Sequence, residues 1–173
     1  MNAASSSALG ASPESFTERD LRAALGQFAT GVTIVTALSA EGVPVGMTAS
    51  SFNSVSLQPA LVLWSVGNHS PLMPIFRDAT HYAIHILAQE QQALAMQFAA
   101  RGVDRFAGVQ WQPNAEGVPL IAGALATFEC QARSRYAEGD HIILVGEVLR
   151  CPRQAGSPLV YHGGALQSLA ANA

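Results

Sequence analysis

The sequence predicts a mainly β fold: a small antiparallel barrel with helices packed outside it. Three observations carry that expectation. Six or more segments rich in β-branched and apolar residues have the length of strands. Most links between them are short and built from Gly, Asn, Asp and Pro, which favours antiparallel neighbours. Only two main segments carry the 3.6-residue period of an amphipathic helix. Strands in that number with few helices pack best as a closed or partly closed sheet.

The elements follow in order. Thr17 is placed to cap a helix with Asp20 three positions on, a variant of the capping box. Leu21, Leu25 and Phe28 recur at helical spacing, and Ala29-Thr30-Gly31 ends the run with Gly31 as the breaker. Val32 to Leu38 reads as a strand, Ala40-Glu41-Gly42 as a turn, and Val43 to Thr48 as the returning hairpin partner. Leu61 to Val66 is a nearly continuous apolar run, expected to be buried on both faces. A short helix is expected over Pro71 to Phe76. His81 to Leu87 is β-branched and aromatic, so His81 and His85 are read as two residues on one face of a strand. A helical metal-binding pair would need a third ligand, and no acidic residue stands at a ligand spacing from the two.

Gln89 to Ala100 is the second helix, with Leu94 and Phe98 inward. Arg101 and Arg105 in the following polar loop are either anion contacts or solvated residues paired with Asp104. Trp111 to Gly117 reads as a loop and Val118 to Leu120 as a short edge segment. Ala124 to Tyr136 and Ile142 to Leu149 form a long hairpin around Glu138-Gly139-Asp140-His141, and Pro158 to Tyr161 is the last strand. The expected domain covers 16–166. Residues 1–15, rich in Ala and Ser, read as a disordered tail rather than a signal peptide, and 167–173 as a C-terminal tail.

Composition excludes several classes. The 173 residues suffice for one core, and only 12% are charged. Surface that poor in charge suggests burial against a second copy. A net charge of −3 argues against a general nucleic-acid binder. All nine basic residues are Arg, so neither a Schiff-base lysine nor a lysine-bearing phosphate loop exists. Cys130 and Cys151 form no metal or redox pattern, which fits a reduced, cytoplasmic protein. No apolar run has the length of a membrane span.

The most suggestive stretch is Met47-Thr48-Ala49-Ser50-Ser51-Phe52-Asn53-Ser54-Val55-Ser56, a run of small and hydroxyl side chains between strands. Such groups can hold a phosphate or bond the rim of a planar ligand. They can equally serve an ordinary strand and turn by satisfying their own backbone.

Several motifs occur together in order: Leu25-Gly26-Gln27-Phe28-Ala29-Thr30-Gly31-Val32-Thr33, then Gly46-Met47-Thr48-Ala49-Ser50-Ser51-Phe52-Asn53-Ser54-Val55-Ser56-Leu57, Phe106-Ala107-Gly108-Val109-Gln110-Trp111, Gly139-Asp140-His141 and Pro158-Leu159-Val160-Tyr161. As a set, spanning Phe16 to Tyr161, they resemble the short-chain flavin reductases that serve two-component monooxygenases. The resemblance implies an FMN-binding split barrel, Greek-key and antiparallel, with about six strands, forming a homodimer. It implies that NADH or NADPH reduces FMN or FAD by hydride transfer, and that the reduced flavin passes to a separate oxygenase. By the same resemblance Thr30, Val32 and Thr33 lie near the flavin. Met47, Thr48, Ala49, Ser50 and Ser51 meet its ring and ribityl chain, Ser54, Val55 and Ser56 lie near its phosphate, and Ala88 and Gln91 border it. His141 positions the nicotinamide; its plain reading is a turn histidine bonded to Asp140. No metal is implied. The sequence departs from the family pattern at Ser50, where Asn is usual, at His85, another common Asn position, at Ala60, which replaces a second proline, and at Gly163-Gly164-Ala165, which lacks the usual aromatic. The alternatives are a flavin-binding electron-transfer or sensor module that uses no nicotinamide, a pyridoxamine-phosphate oxidase on the same barrel, and a dimeric barrel without ligand.

Overall fold

The computed structural model describes residues 16–169. The expected tail 1–15 and residues 170–173 lie outside the described residues. Helix α1 (Glu18–Leu25) begins with the reciprocal capping box expected at Thr17: Asp20 N–H donates to Thr17 Oγ1, and Thr17 N–H donates to Asp20 Oδ2 at 2.9 Å. It stops earlier than expected. Gly26, not Gly31, is its C-cap, and Gly31 sits instead in strand β1 (Thr30–Gly31).

The remaining elements are β2 (Thr33–Leu38), β3 (Pro44–Ala49), β4 (Asn53–Leu57), β5 (Ala60–Gly67), α2 (Met73–Asp78) and β6 (His81–Ile86). A 3-10 turn (Gln89–Gln91) then leads into α3 (Gln92–Ala99). After it come β7 (Trp111–Pro113), β8 (Pro119–Ile121), β9 (Ala126–Glu138), β10 (His141–Arg150), β11 (Leu159–His162) and β12 (Ala165–Ser168). Seven strands form one antiparallel sheet in the order β3-β2-β6-β9-β10-β5-β4. Two small satellites, β1-β11-β12 and β7-β8, complete the fold. The expectation of about six strands therefore undercounts. The segment read as a loop from Trp111 contains β7, and β12 extends through Ser168, past the expected domain end at 166 and into the expected tail.

Curling of the sheet brings its two edges together without a ladder between them. Ser51, in the link from β3 to β4, spans the gap: its hydroxyl accepts from Ser65 N–H at 2.9 Å and donates to Ser65 O at 3.2 Å. The edge strands β3 and β4 share no ladder among the described residues, so the barrel is open between them.

The strand buried on both faces is β2, not β5. Val35 and Ala37 point into a core with Trp64, Phe76, Tyr82 and Leu144, while Val32 and Ile34 point to a second core with Leu87, Phe98 and Leu159. In β5 only the Val62, Trp64 and Val66 face is buried; Leu61 and Leu63 alternate with them and stay half-covered. Continuous hydrophobicity does not say which face another element covers, and that is why the run misled.

Gly146 in β10 is required by packing. A Cβ there would press on the Tyr82 hydroxyl and lie 2.9 Å from both Cys130 Cβ and Tyr82 Cζ. Tyr82 and Cys130 are buried, so neither can swing aside. Gly146→Ala is expected to destabilise by about 1–3 kcal/mol through overpacking. A lower urea midpoint with an unchanged slope is the expected signature, and an unchanged midpoint contradicts it.

Candidate functional site

The tip of β3, the start of α3, the β1-β11-β12 satellite and the end of α1 enclose a cleft with two adjoining lobes. One lobe, of about 360 Å³, is walled by Val32, Ala95, Met96 and Leu166, with Thr48, Ala49 and Ser50 along its rim. The other, of about 580 Å³, lies between Gly26, Gln27, Phe28 and Thr30 on one side and Gly163 and Gly164 on the other. Ser50, Tyr161 and Gly164 line both lobes. Small-molecule sites have this size and this mixture of apolar wall and few polar groups. Clefts of similar volume lie elsewhere, two of them also mixing apolar walls with a few polar groups. The one of about 420 Å³ beside Glu41, Asp78, His81 and Glu116 has acidic walls that would repel a phosphate.

Local structure builds the cleft. Gly163 and Gly164 form the two-residue turn of the β11–β12 hairpin with φ of +58° and +85°, a pair of angles that favours Gly-Gly. Gly163 N–H donates to Gly26 O at 2.8 Å, which fastens this hairpin to the end of α1. Thr48 Oγ1 donates to Ala95 O at 2.6 Å and ties β3 to α3. Thr33 is buried, and its hydroxyl donates to Ala49 O at 2.7 Å. These two hydroxyls are spent on the scaffold, so they shape the wall rather than offer a free group. Thr30 is different. Among the described residues its Oγ1 is buried without a hydrogen-bond partner at the edge of the second lobe, and a buried hydroxyl left so costs free energy until something bonds to it.

Not all the sequence candidates come together here. Thr30, Val32, Thr48, Ala49 and Ser50 line the cleft. Met47, on the opposite face of β3 from Thr48, packs against the barrel core. Ser54, Val55 and Ser56 lie on the exposed edge strand β4 with a register irregularity between the two serines, outside the lining of both lobes. The Gln91 side chain is engaged internally, accepting from Ala88 N–H and donating to Ala122 O, each at 3.0 Å. Tyr161, expected only as a strand end, reaches the cleft because β11 pairs with β1 and sets it opposite Thr30; the Gly-Gly turn two residues on, which folds β12 back beside it, is the sequence signal for that corner. Met96 was also missed, on the face of α3 opposite the inward Phe98.

His141 lies at the start of β10, after a two-residue Gly139-Asp140 turn. Its Nδ1 is 2.7 Å from Asp140 Oδ1, a contact that places a proton on Nδ1 and leaves Nε2 facing away. That hydrogen bond is the main reason the Asp140 carboxyl sits below its ordinary range. Arg22 lines the second lobe; Glu18 holds its guanidinium above the usual range chiefly by a hydrogen bond, and the Asp140 charge adds to it. Register sets the turn near the link that carries Ser50 and Ser51: His141 pairs with Gly67, two residues or about 7 Å along β5 from the Ser65 that Ser51 holds.

Two further polar candidates, His85 and Arg105, are structural. His85 is fully buried; its Nδ1–H donates to Ile34 O at 3.0 Å and its Nε2 accepts from Ile121 N–H at 3.1 Å. Arg105 donates to Gly46 O and twice to Ala100 O, clamping backbone carbonyls instead of an anion.

A split barrel with a hydroxyl-rimmed, apolar-walled cleft beside a Gly-Asp-His turn defines a flavoprotein-type reductase scaffold. Residues 25–170 match the family model described as "Flavin reductase like domain", and the chain belongs to that family. The chain is 51% identical over 147 residues to the FMN reductase (NADH) SmoA of Agrobacterium fabrum, covering 85% of this chain and 83% of that one. It is 44% identical to the reductase component of the flavin-dependent trigonelline monooxygenase of Acinetobacter baylyi, of which it spans only 47%. Among solved structures, the Streptomyces globisporus NADH:FAD oxidoreductase SgcE6 in complex with NAD and FAD fragments superposes with a TM-score of 0.85 at 40% identity, covering 90% of this chain and 95% of that one.

Proposed function

We propose that this chain is an NADH-dependent flavin reductase that takes flavin into the two-lobed cleft and passes it, reduced, to a separate monooxygenase. The observation that carries this reading is the unpartnered Thr30 hydroxyl at the edge of a cleft whose other walls are apolar. A planar heteroaromatic ring with acceptors on one edge fits that combination. The flavin supplies the redox chemistry when bound, receiving hydride from a nicotinamide.

The chain's own residues bind and orient. Val32, Met96 and Leu166 exclude water from one face of the ring, and Tyr161 borders it. Thr30 donates to the ring edge, and Ser50 and Ala49 fix the rim. Thr33 and Thr48 hold the wall in shape through Ala49 O and Ala95 O. Ser51 bonds to Ser65 of β5 beneath the ribityl chain, with Met47 filling the core behind it. Ser54, Val55 and Ser56 take the phosphate end along β4, and Ala88 and Gln91 brace the loop before α3. His141, oriented by Asp140, presents Nε2 to the nicotinamide half of the donor. Steady-state NADH oxidation by the purified protein tests this reading. Oxidation saturating with added FMN or FAD is the expected result. Flavin binding without oxidation of NADH or NADPH would make the chain an electron carrier or sensor, and absence of flavin binding would remove the reading altogether.

The same reading includes a homodimer. Leu21, Leu25 and Phe28 of the α1 segment are 43%, 64% and 73% exposed, and the half-covered face of β5 adds Leu61 and Leu63. Apolar surface of this kind is buried by a second copy in a chain so poor in charge. Sedimentation is expected to give a particle of twice 18.1 kDa; a monomer at micromolar concentration contradicts it.

A further inference from the structure

We propose that His69 is a second donor-positioning histidine, whose imidazole takes the diphosphate of the dinucleotide beside the nicotinamide half held at His141. The inference rests on the reading of the cleft as a flavin and nicotinamide site and adds the residue and the ligand group that it leaves unassigned.

His69 lies in the loop that leaves β5, and that loop is fastened to the β9–β10 turn. Asn68 N–H donates to Asp140 O at 2.9 Å, and Asn68 Nδ2 donates to Gly139 O at 3.4 Å. Between the two loops sits Gly67, and the space its missing side chain leaves is where the rings meet. A Cβ on Gly67 would lie 2.9 Å from His69 Cε1, 3.2 Å from His69 Nδ1 and 3.6 Å from His141 Nε2. Both imidazoles thus approach one point. His141 Nδ1 is occupied by Asp140, but neither nitrogen of His69 makes a hydrogen bond to the chain among the described residues. Two ring nitrogens, His69 Nδ1 and His141 Nε2, face that point, and neither bonds to the chain among the described residues.

Position selects the ligand group. Ser51 binds Ser65, and from there β5 runs one way to Leu61 and Val62, which pair with Ser56 and Ser54, and the other way to Gly67, which pairs with His141. The flavin phosphate assigned to β4 and the histidine pair therefore lie on opposite sides of the Ser51 anchor. A donor whose nicotinamide reaches the ring over Ser50 has its diphosphate about one ribose further out, toward the histidines. With no lysine in the chain, the imidazole N–H of His69, which no group of the described residues accepts, is suited to receive it. Asp140 is the anion beside the pair; His141 is hydrogen-bonded to it, and Arg22 of α1 shares its field.

The test compares NADH with 1-benzyl-1,4-dihydronicotinamide, a donor with no phosphate, for the full chain and for His69→Ala and His141→Ala, with FMN as acceptor. For His69→Ala the expected result is an NADH KM raised about tenfold with kcat and FMN affinity little changed, the fold-change of one lost charge-assisted contact. The KM for the benzyl donor is expected to stay as in the parent, and the KM difference for NADH to shrink as salt is added. An unchanged NADH KM in His69→Ala while His141→Ala raises it overturns the inference and leaves the reading of His141 standing. Equal loss with both donors means that His69 supports the loop rather than the diphosphate, and it too overturns the inference. If neither variant alters the NADH KM, the placement of the nicotinamide donor at this turn fails with it.

Discussion

Ser50→Trp is expected to abolish flavin-dependent NADH oxidation while leaving the barrel folded. Ser50 lines both lobes of the cleft and is exposed, so an indole there projects into the space a ring needs. Among the described residues its hydroxyl makes no hydrogen bond, in contrast to Ser51, whose hydroxyl is bonded to Ser65 of β5. The substitution adds volume at the surface rather than in a packed core, so overpacking strain does not arise. Flavin affinity is expected to fall by at least about tenfold, a loss of ~1.4 kcal/mol or more, with the urea midpoint near that of the parent. Ser50→Ala is the control: it removes one rim hydrogen bond without adding bulk, and a much smaller loss is expected. Parent-like flavin titration by Ser50→Trp contradicts the assignment of the cleft.

The second large effect is an acid instability centred on His85. Burial drives its imidazole from an ordinary 6.5 to about 4, overcoming the opposing hydrogen bond to Ile34 O and the Glu129 charge. The neutral ring is what the site requires, because Nε2 must accept from Ile121 N–H. The unfolded chain takes up a proton as pH falls through about 6.5, and the folded chain resists until about 4. The unfolded state thus binds more protons across that window. Stability is fully present above it and declines as pH drops within it, by a total of about 3 kcal/mol for a shift of this size. His85→Asn keeps a donor and an acceptor but cannot titrate. It is expected to start less stable at pH 7 and to lose little more on acidification to pH 4, so urea midpoints of the two proteins converge. Parallel midpoint–pH curves contradict the assignment.

Period and end chemistry made much of this fold legible. The β-branched run at His81–Ile86 reads as a strand, and the capping pair Thr17 and Asp20 marks the helix start. The same alternation places Met47 and Thr48 on opposite faces of β3, but it does not say that Thr48 is spent on Ala95 O while Thr30 is left unpartnered. Both are threonines beside strands; the difference is a contact with α3, nearly fifty residues away from Thr48. Tyr161 joins the cleft because β11 pairs with β1, which sets it opposite Thr30, a pairing between segments far apart in the sequence. His69 and His141 are 72 positions apart and meet over Gly67 because β5 and β10 are paired. Nothing local to either histidine announces the other.

The assignment of the cleft is tested most directly by a crystal structure of the protein with FMN or FAD bound. The expected complex has the ring system between Tyr161 and the Val32, Met96 and Leu166 wall, with Thr30 Oγ1 within hydrogen-bond distance of a ring heteroatom and Ser50 at its rim. A ring seated elsewhere, such as the cleft between Trp111 and Arg153, with Thr30 Oγ1 still unpartnered, would contradict the account.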